Sequence, residues 1–204
     1  MLTLCTARLK RSVRLAAVIA LVVAGLSSPA MAHITGASSA GFSGGFAHPF
    51  TGLDHILAMV TVGLWASQLG RPAYWMLPLA FPAVMAAGAG LGIAGVPLPW
   101  IEIGIAGSVV ILGSMVALAL KPSLAVSIAL IGLFALLHGH SHGTELPQAA
   151  SPVAYAAGFL IATVTLHGVG LTIGSTSRWP VARIGVRAVG AAIAAIGVVL
   201  LISA

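Results

Sequence analysis

Charged residues are scarce in this chain of 204 residues. They make up 6% of it, against 59% hydrophobic residues, and the mean hydropathy is +1.12. A soluble domain carries roughly a quarter charged residues, so this composition excludes an ordinary water-soluble protein. It predicts helices that lie in a lipid bilayer, whose hydrocarbon core of ~30 Å takes about 20 apolar residues per helix.

Cysteine is almost absent and basic residues are few. Cys5 is the one cysteine, and it lies in a predicted signal peptide, so the mature chain is expected to hold no disulfide and no thiolate ligand. Four of the nine basic residues fall in the first 14 positions, and the others stand singly between apolar runs. That distribution indicates targeting and membrane orientation, and argues against a nucleic-acid partner. A phosphate-binding loop of the Gly-x4-Gly-Lys-Ser/Thr type is missing too, which excludes ATP hydrolysis by such a loop.

The N-terminal residues 1–32 have the pattern of a secretory signal. A basic start is followed by an apolar stretch from Leu15 to Leu26 and by the small-residue ending Ala30-x-Ala32. Cleavage there would leave residues 33–204, beginning at His33. The alternative interpretation is an uncleaved additional helix, which the shortness of the apolar stretch disfavours.

Six apolar stretches follow, and they predict one all-α bundle of six transmembrane helices. The fourth is the shortest, which leaves open its continuation into the polar segment after it. The expected spans are Phe46–Leu69, Ala73–Ala94, Pro99–Leu120, Ser123–His138, Pro152–Ser175 and Val181–Ile202.

Two independent features predict the orientation of this bundle. A cleaved signal would place His33 outside the membrane, and the loops at Arg71, Lys121 and 178–183 then fall on the cytoplasmic side. The remaining loops contain neither lysine nor arginine, as the positive-inside rule requires. We therefore expect a multi-pass protein of the bacterial inner membrane with a periplasmic mature N-terminus.

The polar residues gather at one side of this predicted bundle. The three acids of the chain each lie in or at the end of a span, where a charge costs about 2.5–3.5 kcal/mol unless it is paired or hydrated. Histidines accompany two of them. Imidazole and carboxylate ligands together suit nickel, cobalt and zinc. We predict a metal-binding set of His33, His48, Asp54, His55, Glu102, His138, His140, His142 and Glu145.

The local pattern suggests how some of these residues are arranged. Pro49 suits a first helical turn, which makes His48 the expected N-cap of the first span. His48 and His55 are seven residues apart and thus return nearly to one helix face. In the segment from His138 to Glu145, Gly139 and Gly143 are expected to permit backbone bending.

Several residues admit two interpretations. Met59, one turn after His55, offers a thioether ligand or packs in the core. His140 has a defined role or belongs to a solvated loop that gathers metal nonspecifically. His167 is a lower station on a metal path or a buried histidine bonded to a neighbouring helix. His33 would chelate one metal through its α-amine and its imidazole.

Two motifs resemble the paired signature of the HupE/UreJ family of nickel transporters. They are His48-Pro-x-x-Gly-x-Asp54-His55 followed by Met59, and His138-Gly-x-x-His142-Gly-x-Glu145-x-Pro147. The resemblance implies a secondary permease for nickel, and in some members cobalt, associated with hydrogenase or urease maturation. His140-Ser141 departs from the small pair that the family often has there.

A permease that moves a divalent metal inward is therefore the predicted function, with the metal ion and the lipid bilayer as its partners and no resident cofactor. The chain is not expected to be an enzyme. An intramembrane hydrolase with a His/Asp zinc site is the alternative, and a membrane metal sensor is a third. The sequence does not separate nickel from cobalt and leaves a homo-oligomer open.

Overall fold

The computed structural model describes residues 41–146 and 151–204. These residues form helices joined by short turns, with no strand among them, which confirms the all-α prediction for this part of the chain. The signal peptide predicted for residues 1–32 lies outside the described residues. The helices are α1 Phe42–Ala47, α2 Leu53–Leu69, α3 Ala73–Ile93, α4 Ile101–Leu118, α5 Leu124–Thr144, α6 Pro152–Ser175 and α7 Pro180–Ser203.

Five of the described helices, α3 to α7, are long and apolar enough to cross a bilayer. A sixth crossing is formed if Phe42–Phe50 and α2 are taken together, but these two segments meet at an angle of 83°. The prediction of one continuous helix over Phe46–Leu69 is therefore wrong. The first predicted span is broken close to its N-terminal end, and the break lies within the first of the two motifs.

The motif residues themselves produce this break. His48–Phe50 form a 3₁₀ turn with Pro49 near its start, and the Thr51 hydroxyl donates to the His48 carbonyl at 2.7 Å. The chain then restarts at Gly52, which is the N-cap of α2. The expected N-cap role of His48 is thus also wrong, since Pro49 begins a separate turn rather than the long helix.

Helix α5 is longer than predicted. It continues past His138 to Thr144, so residues 139–144 of the segment expected to be an outer loop are helical, and residues 139–143 are buried. Gly139 and Gly143 allow close packing rather than bending. A Cβ on Gly139 would lie 1.9 Å from the carbonyl oxygen of Met85 on α3, and one on Gly143 would lie 2.2 Å from that of Ala89.

Helix α3 has glycines at the matching positions. A Cβ on Gly88 would lie 2.3 Å from the Leu136 carbonyl oxygen, and one on Gly92 would lie 2.4 Å from that of His140. Small residues spaced four apart on both helices let the two backbones touch, which is how helices associate closely in lipid. Since residue numbers rise together along the contact, α3 and α5 run parallel and end at the same side.

Glycines also allow close backbone contact in two other helix pairs. Gly63 on α2 and Gly170 on α6 face each other's backbones in parallel, whereas Gly113 on α4 and Gly190 on α7 meet in antiparallel fashion. The bundle therefore has two distinct ends. The start of α2, the end of α5 and the start of α6 lie together at one of them.

The two ends differ in charge. The acids Asp54, Glu102 and Glu145 lie at the end where α2, α4 and α6 begin. Every lysine and arginine of residues 41–146 and 151–204 lies at or near the opposite end, in the connections or the first turns of α7: Arg71, Lys121, Arg178, Arg183 and Arg187. We call the acidic end the site end.

Candidate metal site

Helix α1 brings His48 to the start of α6. A Cβ on Gly45 would lie 1.9 Å from the Tyr155 carbonyl oxygen, and one on Gly158 would lie 2.1 Å from that of Phe42. This close approach leaves His48 Nδ1 2.7 Å from the Tyr155 hydroxyl. A phenol both donates and accepts, so it can hold His48 with Nδ1 protonated and Nε2 turned towards α5.

Asp54 orients His55 at the first turn of α2. The Oδ1 atom of Asp54 accepts from the His55 backbone N–H at 2.9 Å and lies 2.7 Å from His55 Nδ1. Because a carboxylate accepts, Nδ1 carries the proton and Nε2 keeps its lone pair. Gly52 makes room for this pair, since a Cβ there would lie 2.6 Å from His55 Nδ1 and 2.7 Å from Asp54 Oδ1.

Helix α5 contributes two more imidazoles. His138 Nδ1 donates to the Phe134 carbonyl at 2.8 Å, which leaves Nε2 as its acceptor. We call a buried polar atom open when it has no hydrogen-bond partner among the described residues. By that definition Nε2 of His55, Nε2 of His138 and both ring nitrogens of His142 are open.

The four rings form a continuous cluster around His142. The ring centre of His142 lies 4.4 Å from that of His55 and 4.9 Å from that of His48. The centre of His138 lies 5.3 Å from that of His55. Acceptor nitrogens are thus concentrated in one place, and in His48, His55 and His138 another group holds Nδ1, which is the usual arrangement of metal-binding histidines.

One group in this cluster has the spacing of a metal site. A ring nitrogen of His48, one of His142 and a carboxylate oxygen of Glu145 all lie within 4.8 Å of one another. Two atoms bound to one ion at ~2.1 Å lie at most about 4.2 Å apart, so the three atoms must approach one another by roughly half an ångström or more to bind one dication together. His48 Nε2 is already 3.7 Å from Glu145 Oε2.

Exposure falls steadily from Glu145 into the bundle. The side chain of Glu145 is 55% exposed and that of His48 28%, whereas His142 is 6% and His138 0% exposed. An ion that arrives from the site end therefore meets the carboxylate first and the buried imidazoles afterwards.

The ionisation of Glu145, the exposed carboxylate of the group, depends on its surroundings. Burial raises the pKa of Glu145 above its ordinary value; the nearby His55 opposes this shift, and the charge of Glu102 adds to it. Glu102 lies in the first turn of α4 with an exposed side chain. The structure thus places Glu102 within electrostatic range of the site but outside the group that closes on an ion.

Other predicted residues are not brought into the cluster. His140 donates from Nε2 to the Val96 carbonyl at 2.6 Å, and it thereby ties α5 to the connection between α3 and α4. Met59 is fully buried in the hydrophobic core. His33 lies outside the described residues.

Two aromatic residues of α6 contact the cluster but were not among the residues predicted from the sequence. Tyr155 holds His48, and the Phe159 ring centre lies 4.3 Å from that of His142. Their signal was the spacing Tyr155-x3-Phe159-x3-Thr163-x3-His167, which repeats every four residues and so follows one face of a helix. All four are buried, and this face of α6 lines the interior of the bundle.

Replacing Asp54 with asparagine is expected to weaken nickel binding about 10–100-fold, as loss of a partner that orients a ligand usually does. The amide keeps the size of the carboxylate but loses its charge and can also donate, so it holds the Nδ1-protonated form of His55 less strongly. Isothermal titration of the purified protein with nickel measures the change. An unaltered dissociation constant would contradict the orienting role of Asp54.

Several helices long and apolar enough to cross a membrane, together with a histidine–carboxylate group that could hold a metal ion, are features of multi-pass membrane proteins that handle transition metals. Residues 20–200 match the family described as HupE / UreJ protein, and the chain belongs to this family. It is 45% identical to Protein HupE of Rhizobium leguminosarum bv. viciae over 181 residues, 88% of this chain and 95% of that protein. No solved structure matches. Membership confirms the resemblance and supports a general role in transition-metal transport.

Proposed function

We propose that this protein is a secondary permease that moves nickel from the periplasm to the cytoplasm. The observation that supports this best is the group formed by His48, His142 and Glu145, whose ligand atoms lie within 4.8 Å of one another at the mouth of a buried imidazole cluster. His55 and His138 continue that cluster inward. The proposed ligands are these five residues, with Asp54 as an orienting partner and Glu102 as an attracting charge.

The chemistry of the cluster suits a transported ion. Nitrogen and oxygen ligands accept nickel and cobalt, whereas magnesium and calcium prefer oxygen alone. Transport requires binding that is strong enough to dehydrate the ion and weak enough to release it. Mixed imidazole and carboxylate ligation without thiolate meets both requirements.

The proposed orientation places the site end in the periplasm. In that orientation the basic connections face the cytoplasm, as the positive-inside rule requires, and a cleaved signal at residues 1–32 leads to the same arrangement. A dication that enters along a potential of ~100 mV gains about 4.6 kcal/mol, twice the value for a single charge. Facilitated inward movement is therefore sufficient for accumulation, and supply of hydrogenase or urease maturation is its proposed purpose.

Uptake of radioactive nickel by intact bacteria that lack their own nickel permeases tests the proposal. Expression of this protein is expected to raise the initial rate at least about tenfold, and collapse of the membrane potential with an uncoupler is expected to remove most of the gain. Excess cobalt is expected to compete, since it takes the same ligands. An absence of metal flux, together with one tightly held zinc and hydrolysis of a lipid substrate, would instead support the alternative of an intramembrane hydrolase.

A further inference from the structure

His167 lies deeper in the bundle than the metal cluster and is anchored by one nitrogen. Its side chain is 1% exposed, and Nδ1 donates to the Pro78 carbonyl on α3 at 3.2 Å. That carbonyl is available because Pro82, four residues later, has no N–H to donate in the helix. The interpretation of His167 as a histidine bonded to a neighbouring helix thus accounts for Nδ1 alone.

The other nitrogen of His167 is open in the sense defined above, and so is the hydroxyl of Thr163. The two residues are one turn apart on the same face of α6. Other threonines of this helix behave differently: Thr165 and Thr172 donate to the carbonyl four residues earlier at 2.7 Å. Thr163 instead has an open hydroxyl one helical turn before the open nitrogen of His167, at a depth where an unsatisfied polar atom is costly.

One aromatic ring connects this place with the outer cluster. The ring centre of Phe81 lies 5.8 Å from that of His138 and 5.3 Å from that of His167. Phe81 is fully buried. His138 is the fully buried histidine of the cluster, and the one ring of Phe81 lies against both His138 and His167.

We propose that His167 Nε2 and Thr163 Oγ1 form an inner station for the transported dication, which reaches it from His138 past the ring of Phe81. This inference rests on the proposed permease function and adds a second binding position to it. One imidazole and one hydroxyl hold an ion less firmly than the outer group of two imidazoles and a carboxylate. The ion therefore binds here transiently, as onward release demands.

Two replacements of His167 separate coordination from structure. The asparagine amide nitrogen reaches the position of Nδ1, so His167→Asn keeps the bond to Pro78 and removes Nε2. The glutamine amide lies near Nε2, so His167→Gln loses the bond to Pro78. With both variants, nickel uptake is expected to fall about tenfold or more while nickel affinity of the outer site stays within about threefold of wild type.

The outcomes distinguish the inner station from the permease itself. Uptake close to wild type in His167→Asn, or a loss confined to His167→Gln, would overturn the station and leave the permease standing. A wild-type protein that neither binds nor moves nickel would end both proposals. If His167→Asn also loses outer-site affinity, nickel uptake by Thr163→Val is compared with uptake by the control variant Thr165→Val. Slower uptake by Thr163→Val alone supports the inner station, and equal rates overturn it.

Discussion

Replacement of His142 by glutamine is expected to lower nickel uptake by about a hundredfold or more. His142 is the residue around which the cluster is built, since its ring centre lies within 5 Å of those of His48 and His55. Both of its ring nitrogens are open. Loss of a residue that merely orients a metal ligand costs about 10–100-fold, so the loss of a central ligand belongs at or above the top of that range. Uptake of radioactive nickel and titration of the purified variant measure the effect.

The neighbouring His140 provides a matched control. It lies on the same helix and is 3% exposed, but its Nε2 donates to the Val96 carbonyl. Glutamine places an amide N–H at that position and preserves the donor. His140→Gln is therefore expected to keep uptake within about twofold of wild type. Equal losses in the two variants would mean that glutamine disturbs this part of α5 itself, and the ligand role of His142 would be contradicted.

The candidate residues of the site could be selected from the sequence because of where they stand. Histidines and acids in so apolar a chain are expensive to bury, so His48, Asp54, His55, His138, His142 and Glu145 stood out at once. Their partners did not. Tyr155 and Phe159 look like ordinary core aromatics of an apolar helix, and only their contacts with His48 and His142 distinguish them.

The route by which His48 meets His55 was not predictable from helical spacing. Seven residues suggest one face of one helix, yet the chain bends by 83° between these residues, and the ring centres still come within 6.5 Å. A 3₁₀ turn at Pro49 and a restart at Gly52 produce this result. The spacing thus indicated two histidines that do lie close together, but the helix between them is broken by the turn at Pro49 and restarts with Gly52 as the N-cap of α2.

The spans of the bundle were predicted well where hydropathy alone decides. The predicted span Pro152–Ser175 coincides with α6, and Val181–Ile202 falls within α7. The continuation of α5 past His138 was left open because His138 to Glu145 is polar and resembles a loop. Burial against α3 makes this polar segment helical, and hydropathy does not register such a contact.

That contact leads to the prediction with the largest expected effect on stability. Gly139→Ala is expected to destabilise the folded protein, because its Cβ would lie 1.9 Å from the Met85 carbonyl oxygen. A backbone atom cannot turn aside as a side chain can, so α3 and α5 must separate. Overpacking of this kind typically costs about 1–3 kcal/mol, and a clash with backbone belongs at the upper end. The midpoint of thermal unfolding in detergent measures the loss.

Gly90→Ala is the matched control on the partner helix. No described atom lies within 4 Å of a Cβ at that position, and alanine favours a helix over glycine by about 1 kcal/mol. The midpoint of this variant is therefore expected to stay the same or to rise.

His138 and His142 each precede a glycine of the contact, so separation of the helices also displaces two of the proposed ligands. Gly139→Ala should then lose nickel affinity along with stability, whereas His142→Gln loses affinity alone. Wild-type unfolding and wild-type nickel binding by Gly139→Ala would show that backbone contact does not set the distance between α3 and α5.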